Sequence, residues 1–436
     1  MSGEDTFKIL EKIFKQKNEQ DLSEIKGYSI KYGYIVENEM IVDEVLVSYF
    51  KKPKSYTTEN MCEINTHGGN IVLRKILDLC LKNGAKLAEP GEFTKRAFLN
   101  GRIDLLQAES VIDIINAKTD KEAKTGIKQL EGDLSNKIKE IKQEILDVMV
   151  NVDVSIDYPE YDVEEVTNTE IIDVLDNVQS KLEKLEKSFD NGKIIKDGIK
   201  TAIIGKPNAG KSSLLNAILN QDRAIVTEYE GTTRDTIEEF VNINGIPLKL
   251  VDTAGIRNAK DEVEKIGINK SREIAEEADL IIAIFDLSKE LTEEDTEILN
   301  MIKDRKCIII LNKADLRNVL DINDSRFTDI TKNVIKMSAL NKTGIEELYK
   351  IIEDMFNFNE INFDNDIIVT NLRHKNLISK TIENVKKTKE TINNNMPVDI
   401  IAIFIKDILE SLGEITGEEV TEDIINEIFS KFCLGK

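Results

Sequence analysis

At 436 residues the chain has room for two or three domains, each with ample core. Its net charge of −22 excludes a broad nucleic-acid coat, because phosphate binding needs clustered Lys and Arg, so any RNA contact is local or shared with a partner. Scattered Cys62, Cys80, Cys307 and Cys433 and two histidines leave no zinc spacing, and no apolar stretch nears the ~18 residues of a membrane span; both fit a soluble, cytosolic chain.

Residues 1–100 open on an acidic, amphipathic helical start, Glu4-Asp-Thr-Phe-Lys-Ile-Leu10, which has no signal-peptide core. β-like segments at 28–36 and 44–50 and a helix around 72–81 follow, predicting a small α/β domain. From 101 to 195 the apolar period changes to three and four, as at Ile138, Ile141, Ile145, Val148 and Val152, and predicts long helices. Residues 196–358 alternate strands and helices, as a doubly wound nucleotide domain does. After a polar, Asn-rich stretch at 357–366, helical periodicity returns through 359–436, with Ile401, Ile405, Ile408 and Leu412 on one stripe. The expected architecture is therefore multidomain α/β plus all-α. The helices of 359–436 pack against those of 101–195, and the doubly wound P-loop domain is inserted between the two stretches.

The inserted segment carries the chemistry. Gly205-Lys-Pro-Asn-Ala-Gly-Lys211-Ser212 follows the apolar run Ala202-Ile203-Ile204 and precedes a helical pattern, which is the strand-to-helix setting of a phosphate-binding loop. Asn208, Ala209, Gly210, Lys211, Ser212 and Ser213 would wrap a phosphate with backbone N–H groups, with Lys211 on the β- and γ-phosphates and the Ser212 hydroxyl on Mg²⁺. Asp252-Thr253-Ala254-Gly255 ends a second strand, placing a carboxylate near the Mg²⁺ shell and a glycine N–H near the γ-phosphate. Asn312-Lys313-Ala314-Asp315 ends a third. The Asp315 carboxylate can accept two N–H donors from guanine, and adenine offers no such pair. Ser338-Ala339-Leu340 would give a backbone N–H to the guanine carbonyl. The four loops come in the chain order of a guanine-nucleotide domain.

Three further motifs narrow the reading: Pro90-Gly-Glu-Phe-Thr-Lys-Arg-Ala-Phe-Leu-Asn100, Gly231-Thr-Thr-Arg-Asp235 and the terminus Phe432-Cys-Leu-Gly-Lys436. With them the sequence resembles, over nearly its whole length, the tRNA uridine-modification GTPase family called MnmE or TrmE. The resemblance implies GTP hydrolysis together with an FAD-dependent partner of the MnmG (GidA) type. The pair installs a carboxymethylaminomethyl or aminomethyl group on C5 of the wobble uridine, U34, of certain tRNAs. It implies a tetrahydrofolate derivative (5-formyl- or 5,10-methylene-tetrahydrofolate) on the N-terminal domain, lined by Glu63, Arg102 and Lys436. It also implies a homodimer, and a heterotetramer with the partner. The family opens with a strand and a glycine-rich segment ending in an arginine at the folate site. This sequence opens past that point, so the expectation is a shortened chain or weakened folate binding and dimerisation.

The same resemblance assigns the hydrolytic residues. Ile256 holds the position where many small GTPases carry a water-orienting glutamine, and Glu264 is the family's replacement, acting through a bridging water. K⁺ takes the place of an arginine finger. It is held by Asn208 and by main-chain oxygens of Thr227-Glu228-Tyr229-Glu230-Gly231-Thr232-Thr233, with Thr227, Tyr229 and Thr232 as ligands, and two nucleotide domains meet across this loop. Thr233 completes the Mg²⁺ shell. Cys433 has two readings: a buried structural thiol by its apolar neighbours, and a catalytic or substrate-positioning thiol by the family's terminal cysteine. His67 reads as a hydrogen-bonded turn histidine. Two other functions stay open: a ribosome-assembly GTPase switch without one-carbon chemistry, and a folate-binding one-carbon transferase with an inserted regulatory domain.

Overall fold

The computed structural model describes residues 1–17, 27–157, 164–219, 239–251, 275–356 and 366–435. In chain order these form α1 (Thr6–Ile13), β1 (Phe14–Gln16), β2 (Tyr28–Glu37), β3 (Met40–Phe50), β4 (Met61–Asn65), α2 (Asn70–Lys82) and α3 (Glu92–Leu99). Next come α4 (Leu105–Asn116), α5 (Asp120–Glu131), α6 (Asp133–Asp157), α7 (Glu164–Asp197), β5 (Ile199–Gly205), α8 (Lys211–Leu219), β6 (Glu239–Ile243) and β7 (Ile246–Leu250). The chain continues with β8 (Leu280–Asp286), α9 (Glu293–Ile302), β9 (Cys307–Asn312), α10 (Ser325–Thr328), β10 (Val334–Lys336) and α11 (Ile345–Met355). It ends with α12 (Leu372–Asn393), α13 (Val398–Thr416) and α14 (Glu422–Ser430). They fall into two compact units: residues 1–112, 129–157 and 398–436 in one, and 113–128 and 158–397 in the other.

In the first unit, β1 to β4 form an antiparallel sheet in sequence order. The two-residue period puts Val45, Val47 and Tyr49 on one face, buried with Leu10 and Ile13 of α1 and with Ile76, Leu79 and Cys80 of α2. The segments expected at 28–36 and 44–50 are β2 and β3, and the helix expected at 72–81 is α2. In α6 the stripe Ile138, Ile141, Ile145, Val148 and Val152 is buried, and the helix packs along α13 through the buried Ile401, Ile405, Ile408 and Leu412. Each fully buried Ile of this kind contributes roughly 1.5–3 kcal/mol relative to exposure. Phe429 stacks between Phe98 and Phe432, holding α14 on α3. The chain end then bridges Leu434 to Pro90.

In the second unit, α7 packs along α12. The sheet runs β10-β9-β8-β5-β7-β6, all parallel except the edge strand β6. Its strands are apolar on both faces, as covered parallel strands must be: Ile203, Ile282 and Ile310 lie in one core, Ile204, Ile281 and Ile309 in the other. After β5 the chain goes to one side (β7, β6) and then to the other (β8, β9, β10). The crevice at the tip of β5 is therefore where a doubly wound sheet takes its ligand.

Residues 113–128 group with this second unit. Thr119 caps the start of α5, and Glu122 ties the residue before that cap to the first turn. The Thr119 hydroxyl accepts from the Glu122 N–H at 3.1 Å, and Glu122 Oε2 accepts from the Lys118 N–H at 2.7 Å. The turn rests on the β6–β7 hairpin, whose Asn244-Gly245 corner has φ of 50° and 88°. The Lys121 stem lies so close over Gly245 that a Cβ there would sit 2.6 Å from Lys121 Cδ, and the Lys118 ammonium lies 3.5 Å from the centre of the Phe240 ring. Burial pushes the Glu122 carboxyl up to about 7, against the pull of the Lys118 N–H and ammonium.

Candidate functional site

The phosphate loop begins where β5 ends at Gly205, whose α-carbon faces the carbonyl of Ile284; a Cβ there would lie 2.5 Å from that oxygen. Asn208 turns into the left-handed region with φ 63°, and Gly210 follows at φ 110°. Gly210 has no room for a side chain at all, since a Cβ would fall 2.0 Å from Asn312 Nδ2. α8 starts at Lys211, with the Leu214 N–H bonded to the Gly210 carbonyl at 2.8 Å. The loop is thus a strand-to-helix turn ending at a helix N-terminus, as the spacing predicts. Lys211 Nζ donates to the carbonyls of Gly205 at 2.5 Å and Lys206 at 2.9 Å, and burial lowers its pKa. Ser212 and Ser213 lie exposed on the first turn.

The two loops expected to read the base lie at the tips of β9 and β10. Asn312 is buried; its Nδ2 donates to the Ala209 carbonyl at 2.9 Å, and its Oδ1 accepts from the Ala339 N–H at 3.0 Å. One amide therefore pins the phosphate loop to both base loops. Lys313, left-handed at φ 67°, reaches Asp286 Oδ2 at 2.7 Å. Burial pushes the Asp286 carboxyl up, but hydrogen bonds from Lys313 and from the Ser288 hydroxyl and N–H outweigh it and hold the group below its ordinary range. The Ser338 hydroxyl donates to Asp315 Oδ1 at 2.5 Å, leaving the exposed carboxylate aimed outward with acceptor capacity to spare. Leu340 is exposed at the end of this loop.

Four residues that the sequence alone does not single out lie beside these loops. Asp286, at the tip of β8, orients Lys313. Lys206, Thr292 and Asp295 form a second group beside the phosphate loop. Two signals were available: an acid closing an apolar strand, and the capping pattern Thr292-Glu-Glu-Asp295 ahead of α9.

The N-terminal candidates are arranged differently. Glu63 is exposed on β4, opposite Ser48, and Arg102 is exposed with its guanidinium 4.7 Å over the Tyr56 ring and a 2.9 Å bond to the Tyr56 carbonyl. No hydrogen bond or ion pair joins Glu63 to Arg102 among the described residues. Cys433 is exposed, which corrects the buried-thiol alternative: its carbonyl accepts from the Gly91 N–H at 3.3 Å and this strand-like contact leaves the side chain in solvent. His67 is hydrogen-bonded in its loop, Nδ1 to Asp43 Oδ1 at 2.9 Å. Thr227 to Thr233, Asp252 to Gly255, Glu264 and Lys436 lie outside the described residues.

A central strand tip closed by a glycine loop, a helix start behind it and a carboxylate-bearing base loop beside it define a P-loop GTPase domain. Comparison with known proteins extends this to the whole chain. A model of the MnmE helical domain matches residues 105–433, and one of the GTP-binding protein TrmE N-terminus matches residues 1–102. The tRNA modification GTPase MnmE of Acetivibrio thermocellus is 49% identical over 438 residues, covering 100% of this chain and 95% of that protein. The protein of the same name from Clostridioides difficile is 48% identical over 438 residues with the same coverage. The chain belongs to the MnmE (TrmE) family of GTPases. Among the described residues, no helix is long and apolar enough to cross a membrane.

Proposed function

We propose that this chain hydrolyses GTP in the service of tRNA modification. With an FAD-dependent partner of the MnmG type, it installs a carboxymethylaminomethyl or aminomethyl group on C5 of U34 in certain tRNAs. The observation that carries the reading is the 49% identity, along the whole chain, to a relative named tRNA modification GTPase. The guanine-type base loop at Asp315 supports it.

For GTP, the side-chain-free approach at Gly210 and the N-terminus of α8 fit a phosphate held by main-chain N–H groups, with Lys211 swinging its ammonium onto the β- and γ-phosphates. Ser212 on the first turn of α8, with Thr233 and Asp252, would hold Mg²⁺, which neutralises charge on the phosphates when bound. The left-handed, exposed Asn208 fits a K⁺ ligand, joined by main-chain oxygens at Thr227, Tyr229 and Thr232. K⁺ supplies the positive charge that an arginine finger gives elsewhere. Glu264 would orient the attacking water. Glu63, Arg102 and Lys436 would hold the tetrahydrofolate derivative, their exposed carboxylate and guanidinium suiting pterin donors and a glutamate tail. Cys433, in solvent beside Gly91, would act at that end. In this reading 1–100 is the folate-binding and dimerisation domain, 196–358 the nucleotide domain, and 101–195 with 359–436 the helical domain of a cytosolic dimer.

Titration with fluorescent GTP and ATP analogues tests the base: equal affinities would end the reading. The full reaction is tested by incubating the chain, the flavoprotein, tRNA, a one-carbon donor and GTP, then analysing nucleosides by mass spectrometry. Conversion of U34 only when GTP is present is expected. Unmodified tRNA would leave a regulatory GTPase. Faster turnover in KCl than in NaCl at matched ionic strength supports the K⁺ site, and no heat on calorimetric titration with 5-formyltetrahydrofolate removes the folate site.

A further inference from the structure

Lys206, the second residue of the phosphate loop, has no part in the reading above, yet its side chain is held from two directions. Its ammonium lies 2.7 Å from Thr292 Oγ1 and 2.8 Å from Asp295 Oδ2. Asp295 is buried and already accepts from the Thr292 N–H at 2.8 Å and the Thr292 hydroxyl at 3.0 Å, closing the cap of α9. A buried carboxylate with neutral donors alone carries a desolvation cost, and Lys206 brings the compensating charge. The main chain of the same residue faces the other way. The Lys206 carbonyl accepts from Lys211 Nζ at 2.9 Å and from the Ala209 N–H at 3.2 Å.

We propose that Lys206 is a positioning residue for nucleotide binding: the Thr292–Asp295 cap grips its side chain, and this grip fixes the loop backbone that seats and aims Lys211. The inference rests on the GTP reading of the site. Pro207 and Asn208, the next two residues, are exposed, so the first half of the loop depends on Gly205 at the strand tip and on the Lys206 side chain for its placement. The cap sits on α9, which follows β8, so the anchor belongs to a rigid helix start rather than to another loop. A loop held this way is arranged before nucleotide arrives, and less ordering remains to oppose binding.

The test compares Lys206→Met, Lys206→Arg, Thr292→Val and Asp295→Asn with the unmodified chain by fluorescent GDP affinity, steady-state GTP turnover and thermal unfolding. Lys206→Met is expected to raise the GDP Kd and the GTP KM roughly five- to twentyfold while kcat falls less than about threefold, the pattern of lost uniform binding. Lys206→Arg, which still reaches Asp295, is expected to stay within about threefold of the unmodified chain, and Asp295→Asn to move with Lys206→Met. A residue that merely stabilised the fold would lower the melting temperature and leave KM at 25 °C unchanged. The proposal is overturned if Lys206→Met binds GDP within about twofold of the unmodified chain, or if Lys206→Arg is as weak as Lys206→Met. Should Lys206→Met fail to fold, Thr292→Val carries the test: it removes one of the two acceptors of the Lys206 ammonium and one hydroxyl donor to Asp295 while keeping the charge pair, and an unchanged KM overturns the proposal. An unmodified chain that binds no guanine nucleotide would instead remove the GTP reading itself.

Discussion

Asn312 Nδ2 donates to the carbonyl of Ala209 at 2.9 Å, joining two loops that lie 103 residues apart in the sequence. Because the same amide also accepts from the Ala339 N–H, it fixes the distance between the glycine loop after β5 and the loop after β10. Asn312→Ala would strand two buried main-chain groups, each costing about 1–3 kcal/mol. We expect guanine-nucleotide affinity to fall roughly 10- to 100-fold, read by fluorescence anisotropy. A loss under threefold would mean that the two loops hold their spacing without it.

Gly210 makes the same junction from the other side. With φ at 110° and only 2.0 Å between a built Cβ and Asn312 Nδ2, Gly210→Ala must displace either the loop or the asparagine. Loss of nucleotide binding with unchanged far-ultraviolet circular dichroism is the expected result. Retained binding would show that the loop opens in solution more than this geometry allows.

In the GTP reading, Asp315 is the residue that selects the base. Guanine offers two adjacent N–H donors to a carboxylate, whereas an asparagine offers one acceptor and one donor, the complement of xanthine. Asp315→Asn is expected to shift the ratio of GTP to XTP turnover by roughly 100-fold or more towards XTP. An unchanged ratio would place the base elsewhere.

Glu122 gives the fold a pH dependence of known sign. Its native carboxyl keeps a proton up to about 7, while the unfolded chain releases it near the ordinary value of 4.5. Between those values the native state binds more protons at this group, so its contribution to stability falls as pH rises from about 4.5 to 7 and is constant above. Glu122→Gln keeps an acceptor for the Lys118 N–H and removes this slope. At pH 8 it should stabilise by at most about 3 kcal/mol. Urea midpoints at pH 5.5 and 8 measure the effect, and equal slopes in both proteins would refute it.

The parts of this molecule that could be read from sequence are those carried by one continuous segment. The phosphate loop, Asn312 to Asp315 and Ser338 to Leu340 each end an apolar strand, so strand and motif announce one another. The buried stripes of α6 and α13 repeat every three or four residues, and their pairing follows from two helical stretches flanking an insertion. Contacts between distant segments were not legible. Lys206 meets Asp295 only because β5 and β8 lie side by side, and Asp286 meets Lys313 because β8 and β9 do. Nor does periodicity reveal that α5 is a separate helix, although the Thr119-x-x-Glu122 cap and the Asn244-Gly245 corner are both local signals. Cys433 misled because apolar neighbours suggest burial; Phe432 takes the buried place and turns the next side chain outward.

The turn at 118–122 also bears on how the nucleotide-binding part is best excised. A fragment cut at 196–358 would leave Phe240 without the Lys118 cation over its ring and Gly245 without its methylene cover. The piece that behaves like the native domain is the one that takes residues 113–128 along, through a spliced or co-expressed segment. Surface properties measured on the shorter cut describe a freshly bared hairpin rather than the protein.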